Sequence, residues 1–132
     1  MIDEDFSTVS KHAGFILFCA LALNERRYQA AMMYAEKLSE SRIPLARAIV
    51  GRALGEIGDS EKSWQKFSEA IELARGKQSP TSHYIVEYCK CFVLQWDDKE
   101  QLKQQIQKAL SIKPPAHVLE CLPLFDDIEI RD

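Results

Sequence analysis

Apolar residues recur along this chain at the i, i+3, i+4 spacing that gathers them on one face of a helix, and short polar breaks separate the blocks. Ser7 or Ser10 can cap a first helix that runs to about Asn24. The polar turn Asn24-Glu25-Arg26-Arg27 opens a second, from Tyr28 to about Glu40, with Tyr28, Ala31, Ala35 and Leu38 on one face. Pro44 suits the first turn of a third helix, which runs to about Ile57 and buries Ile49, Val50, Ala53, Leu54 and Ile57. Gly58-Asp59-Ser60 then stops one helix and caps the next, Gly for a left-handed exit and Asp or Ser for the free N–H groups.

The fourth helix covers Glu61 to Arg75 with Trp64, Phe67, Ala70, Ile71 and Ala74 inward. After the break from Gly76 to Ser82, a fifth spans about Thr81 to Gln95. Asp97-Asp98 caps a sixth, Lys99 to Ile112, with Leu102, Ile106, Ala109 and Leu110 on its apolar side. Pro114-Pro115 ends it and starts a short seventh helix through Leu122. The tail from Pro123 to Asp132 mixes apolar and acidic residues. Seven helices with short connections and no strand signal predict antiparallel neighbours in a bundle or a solenoid.

A length of 132 residues is about one domain, and 46% apolar with 28% charged residues is an ordinary globular balance. The net charge of −3 and the lack of a basic stripe argue against nucleic acid as a partner. Ala13 to Leu23 is apolar throughout, but a membrane span needs about 20 such residues and a signal peptide a basic start. The start here is Asp3-Glu4-Asp5, so a buried core helix and no membrane partner are expected.

Cys19, Cys89, Cys91 and Cys121 all lie in apolar, helix-like runs, where a free thiol behaves as a small hydrophobe. Cys89 and Cys91 point about 200° apart on a helix, so no metal site is expected, and a reducing, cytoplasmic setting is. His12, His83 and His117 are far apart in sequence, and no metal, phosphate-loop or nucleophile-elbow motif occurs. Glu69 and Glu72 read as a solvated helix face, and Cys91 with His83 carries no nucleophile signature. Neither an enzyme nor a cofactor is expected.

The helices pair, and the pairs resemble one another. Val50-Gly51-x-x-Leu54 followed by Ser63-x-x-x-Phe67-x-x-Ala70 resembles the tetratricopeptide repeat (TPR), in which Leu-Gly-x-x-Tyr on one helix precedes Ala-x-x-x-Phe on the next. Looser matches flank it: Phe15-x-x-Phe18-Cys19-x-x-Ala22 with Ala31-x-x-x-Ala35-x-x-Leu38, and Ile85-x-x-Tyr88-Cys89-x-x-Phe92 with Leu102-x-x-x-Ile106-x-x-Ala109. Spacing departs from a strict repeat, with 32 residues from Ala31 to Ser63 and 39 from Ser63 to Leu102. The resemblance implies an all-α fold, antiparallel hairpins stacked as a TPR-like right-handed solenoid. About three repeats (12–43, 44–79 and 80–113) precede a capping helix and acidic tail (114–132), all in one domain.

In that family the first helix of each pair lines a concave groove that holds partner peptides. The resemblance puts Ile16, Ala20, Ala48, Arg52, Val86 and Lys90 on its wall, with Arg52 and Lys90 as two stacked cations. They are solvated, paired with Glu56 and Glu87, or open to an acidic, partly apolar segment such as the tail residues Phe125 to Ile130. Ile16 and Ala20 stand where a clamp for C-terminal carboxylates would need polar residues, so that activity is not expected. The first helix is apolar on every side, and such a helix has to be covered. The cover is the N-terminal segment Met1 to Thr8, a second copy meeting it in a homodimer at Phe15, Phe18 and Leu21, or another protein. The implied function is a protein-interaction adaptor. The alternatives are a small acidic cytosolic chaperone resembling those of bacterial type III secretion, and a structural subunit with the first helix at an oligomer interface.

Overall fold

The structure, a computed structural model, describes residues 6–124, with side-chain surroundings from residue 11 onward. Seven helices account for it: α1 (Phe6–Asn24), α2 (Tyr28–Leu38), α3 (Pro44–Glu56), α4 (Ser60–Ala74), α5 (Pro80–Val93), α6 (Lys99–Leu110) and α7 (Ala116–Cys121). The described residues contain no strand, so the chain is all-α there. None of these helices is long and apolar enough to cross a membrane. The tail beyond Leu124 and the segment Met1–Asp5 lie outside the described residues, as do the roles expected of them.

Local chemistry sets the helix ends. Asp59, Ser79 and Asp98 each accept from the N–H three residues on, satisfying one of the donors a helix start leaves free. At the other end the chain turns through left-handed residues. Gly58 (φ 94°) closes α3, with the Asp59 N–H donating to the Leu54 carbonyl at 3.0 Å. The same turn after α1 uses Arg26 (φ 60°), and the Arg27 N–H donates to the Ala22 carbonyl at 2.8 Å.

Successive helices pack in antiparallel hairpins, α1 on α2, α3 on α4 and α5 on α6, and α2 and α4 also touch the helix that follows each. The odd helices form a row of their own, α1 against α3 and α3 against α5, and α7 packs back on α1. Small residues make the closest contact. Gly51 on α3 lies under the Phe67 ring of α4, and the Ser63 hydroxyl donates to the Gly51 carbonyl at 2.7 Å. Phe67 is stacked on Phe92 of α5 with ring centroids 4.8 Å apart, which carries the packing into the next hairpin.

Trp64 and Ile57, both expected inside, are outside, and the helix expected to be buried over Ala13 to Leu23 leaves Leu17, Phe18 and Leu21 about half exposed. Trp64 is 54% exposed, because the neighbouring Ser63 takes the inward slot and one residue turns the helix by about 100°. Ile57 is 46% exposed, since it caps α3 just before the chain leaves through Gly58. Glu69 is no freely solvated carboxylate either: it takes Arg47 of α3 and Lys66 of its own helix as partners, tying α3 to α4.

Candidate functional site

The site is the common face of α1, α3 and α5. Ile16 and Ala20 of α1 and Ala48 of α3, the small and apolar positions expected on it, are all buried. The chain's own C-terminal arm, residues 116–124, packs on α1 and bonds to all three helices, and its Val118, Cys121, Leu122 and Leu124 are buried. Burying those side chains stabilises the docked arm by roughly 1.5–3 kcal/mol for each large one.

The polar contacts have a simple order. A helix of six residues leaves its last carbonyls without intrahelical partners. Three consecutive carbonyls find one donor each on three successive odd helices. Asn24, the last residue of α1, donates its side-chain amide to Glu120 at 3.2 Å. Arg52 of α3 donates to Cys121 at 2.9 Å. The Tyr84 hydroxyl of α5 donates to Leu122 at 2.6 Å. Arg52 also donates to the Asn24 side-chain oxygen and to the Glu56 carboxylate, both at 2.8 Å, and only 10% of its side chain is exposed. Tyr84→Phe leaves the buried Leu122 carbonyl without a donor, and the expected loss is about 1 kcal/mol in a urea unfolding curve.

Arg52 and Lys90 line different clefts. Both have the acidic partners weighed for them, Glu56 for Arg52 and Glu87 for Lys90 at 3.4 Å. Arg52 borders a cleft of about 820 Å³ with Trp64, Phe67, Tyr88, Phe92 and the arm's Pro123. Val86 and Lys90 line another, of about 910 Å³, between the α4–α5 turn and Ile112. Burial alone would raise the Glu87 carboxyl, but the Gln105 hydrogen bond and the charges of Lys90 and Lys108 outweigh it and hold it below its ordinary value.

Asn24 and Tyr84 are the contributors that sequence reasoning did not place in the groove. Their signal is faint: a polar residue closing one odd helix and a tyrosine near the start of another. The outer side of α1 is open, with Leu17, Phe18 and Leu21 about half exposed. Phe15 is more sheltered, its ring 6.1 Å from that of Tyr34 and below the Lys37 ammonium. All four cysteines are free thiols, and burial pushes Cys19 and Cys91 up to about 12 and Cys121 to about 11. Such thiols stay protonated and behave as packing groups.

Compared with protein-family models, with curated proteins and with solved structures, the chain matches none.

Proposed function

We propose that the chain is a protein-interaction adaptor, a TPR-like stack of three helical hairpins whose odd-helix face holds an apolar, helical segment of a partner protein. One observation carries this reading: donors on α1, α3 and α5 meet three consecutive main-chain carbonyls of the segment lying across them. Every peptide has such carbonyls, so donors of this kind fix the position and direction of a segment whatever its sequence. Selectivity then comes from the apolar positions, filled at present by Val118, Cys121, Leu122 and Leu124. The arm is the groove's resident segment, and a partner binds by taking its place. Four unpaired, buried thiols fit a reducing cytoplasmic setting.

The test uses the full chain with its arm disabled. Leu122 is fully buried, so Leu122→Asp puts an unpaired charge in the groove and drives the arm out. A labelled peptide of residues 116–124 is expected to bind this variant and to bind wild-type protein far more weakly, because the wild-type groove is filled. No change in anisotropy with a variant that keeps its helical circular dichroism contradicts the reading.

A second reading, a small acidic chaperone resembling those of type III secretion, draws on a different observation. Leu17, Phe18 and Leu21 on α1, with Trp64 and Phe92 at the aromatic cleft, offer half-exposed apolar surface to an aggregation-prone client. In that case the client, unlike the arm peptide, would be lost on Phe18→Glu.

A further inference from the structure

The link between α6 and the arm is strained. Lys113 stands at φ 57°, in the left-handed region, where a Cβ crowds the following carbonyl oxygen. Pro114 follows it, and a residue before proline is driven toward extended backbone. Straightening Lys113 relieves that strain and swings the arm away from its own body. Pro114 and Pro115 have φ fixed by their rings, so the link moves as a stiff strut and not as a loose tether. The groove contacts that the arm gives up are made by Asn24, Arg52 and Tyr84, which a second copy presents unchanged.

We propose that two copies of this chain exchange arms, each placing Val118, Cys121, Leu122 and Leu124 in the groove of the other. The inference rests on the groove reading above, because the same face receives the arm in cis and in trans. The exchanged pair keeps each arm–groove contact and loses the strain at two hinges, and what opposes it is the entropy of association. Short links under strain favour such exchange. A self-complementary interface of this kind closes on a two-fold axis and stops at the dimer. The half-exposed Leu17, Phe18 and Leu21 lie on α1, the helix that the arm packs on, and offer apolar area to the body of the second copy.

Size-exclusion chromatography with light scattering, from micromolar to millimolar protein, tests this in the full chain. Wild type is expected to be a mixture of monomer and dimer, with the dimer growing as concentration rises. Lys113→Gly removes the strain from the closed chain without touching the groove, because glycine accepts positive φ. Its dimer dissociation constant is expected to rise about tenfold or more. Leu122→Asp is expected to abolish the dimer. A monomer at every concentration overturns the exchange, and so does a dimer that Lys113→Gly leaves unchanged. If the exchange fails while the Leu122→Asp chain still binds the arm peptide, the groove reading stands. A dimer sensitive to Lys113→Gly without peptide binding would keep the exchange and remove the peptide function.

Discussion

Arg52→Met releases the C-terminal arm while the hairpins stay folded. Methionine fills much of the arginine's volume, so the change removes chiefly the charge and its donors. Arg52 holds the Cys121 carbonyl, the Asn24 side chain and the Glu56 carboxylate from one mostly buried guanidinium. Hydrogen bonds from charged groups contribute about 1.5–3 kcal/mol each, and stranding a partly buried carboxylate adds to the loss. Glu56 keeps some access to water, which moderates that part, so the expected cost is about 3 kcal/mol. The loss is local. Hydrogen exchange should speed up by about a hundredfold at the amides of residues 118–122, with much smaller changes in α3 and α4. Equal acceleration throughout α3 and α4 would make Arg52 a general stabiliser and remove its special tie to the arm.

Gly51→Val is expected to destabilise the whole protein by about 3 kcal/mol, the upper end of the range for overpacking a core. A Cβ on Gly51 would lie 2.8 Å from Cδ1 and 2.9 Å from Cε1 of Phe67. That ring cannot retreat, because Phe67 is only 2% exposed and is held against Tyr88 and Phe92. The branched side chain adds two more atoms to the clash. Gly14, also within a helix, is the internal control: a Cβ there meets nothing within 4 Å. Gly14→Ala should therefore raise stability, by up to about 1 kcal/mol, through helix propensity alone. Chemical unfolding midpoints of the two variants should move in opposite directions. A harmless valine at position 51 would mean that α3 and α4 do not approach as closely as described.

Where local chemistry decides, the sequence was readable. Asp59 and Asp98 stand at helix starts that cap residues alone indicate, and Gly58 marks a left-handed exit. Gly51 and Ser63 meet as the small residues of adjoining helices, because only small side chains allow that approach. Long-range geometry was harder to read. On α5 the expected groove positions were Val86 and Lys90, whereas Tyr84 bonds to the arm and Tyr88 borders the cleft next to Arg52. A shift of two residues turns a helix by about 200°, so a small uncertainty in the α4–α5 turn reverses the face. The contact between Tyr84 and Leu122 joins residues 38 apart, and no local pattern announces it. Trp64 looked inward because it is large and apolar, yet its indole N–H donates to the Val93 carbonyl at 3.2 Å from an exposed position.

On the proposed reading, the odd-helix face holds a peptide by its main chain. Calorimetric titration of the arm peptide into the Leu122→Asp chain tests it most directly when repeated with Arg52→Met and with Tyr84→Phe added. Measurable binding to Leu122→Asp is expected, weakened about fivefold by Tyr84→Phe, which removes one neutral donor, and about tenfold or more by Arg52→Met, which removes a charged donor and frees Asn24, the donor to Glu120. Binding of equal strength in all three chains would contradict it, since the peptide would then be held by apolar contact alone and the three donors would have no part in recognition.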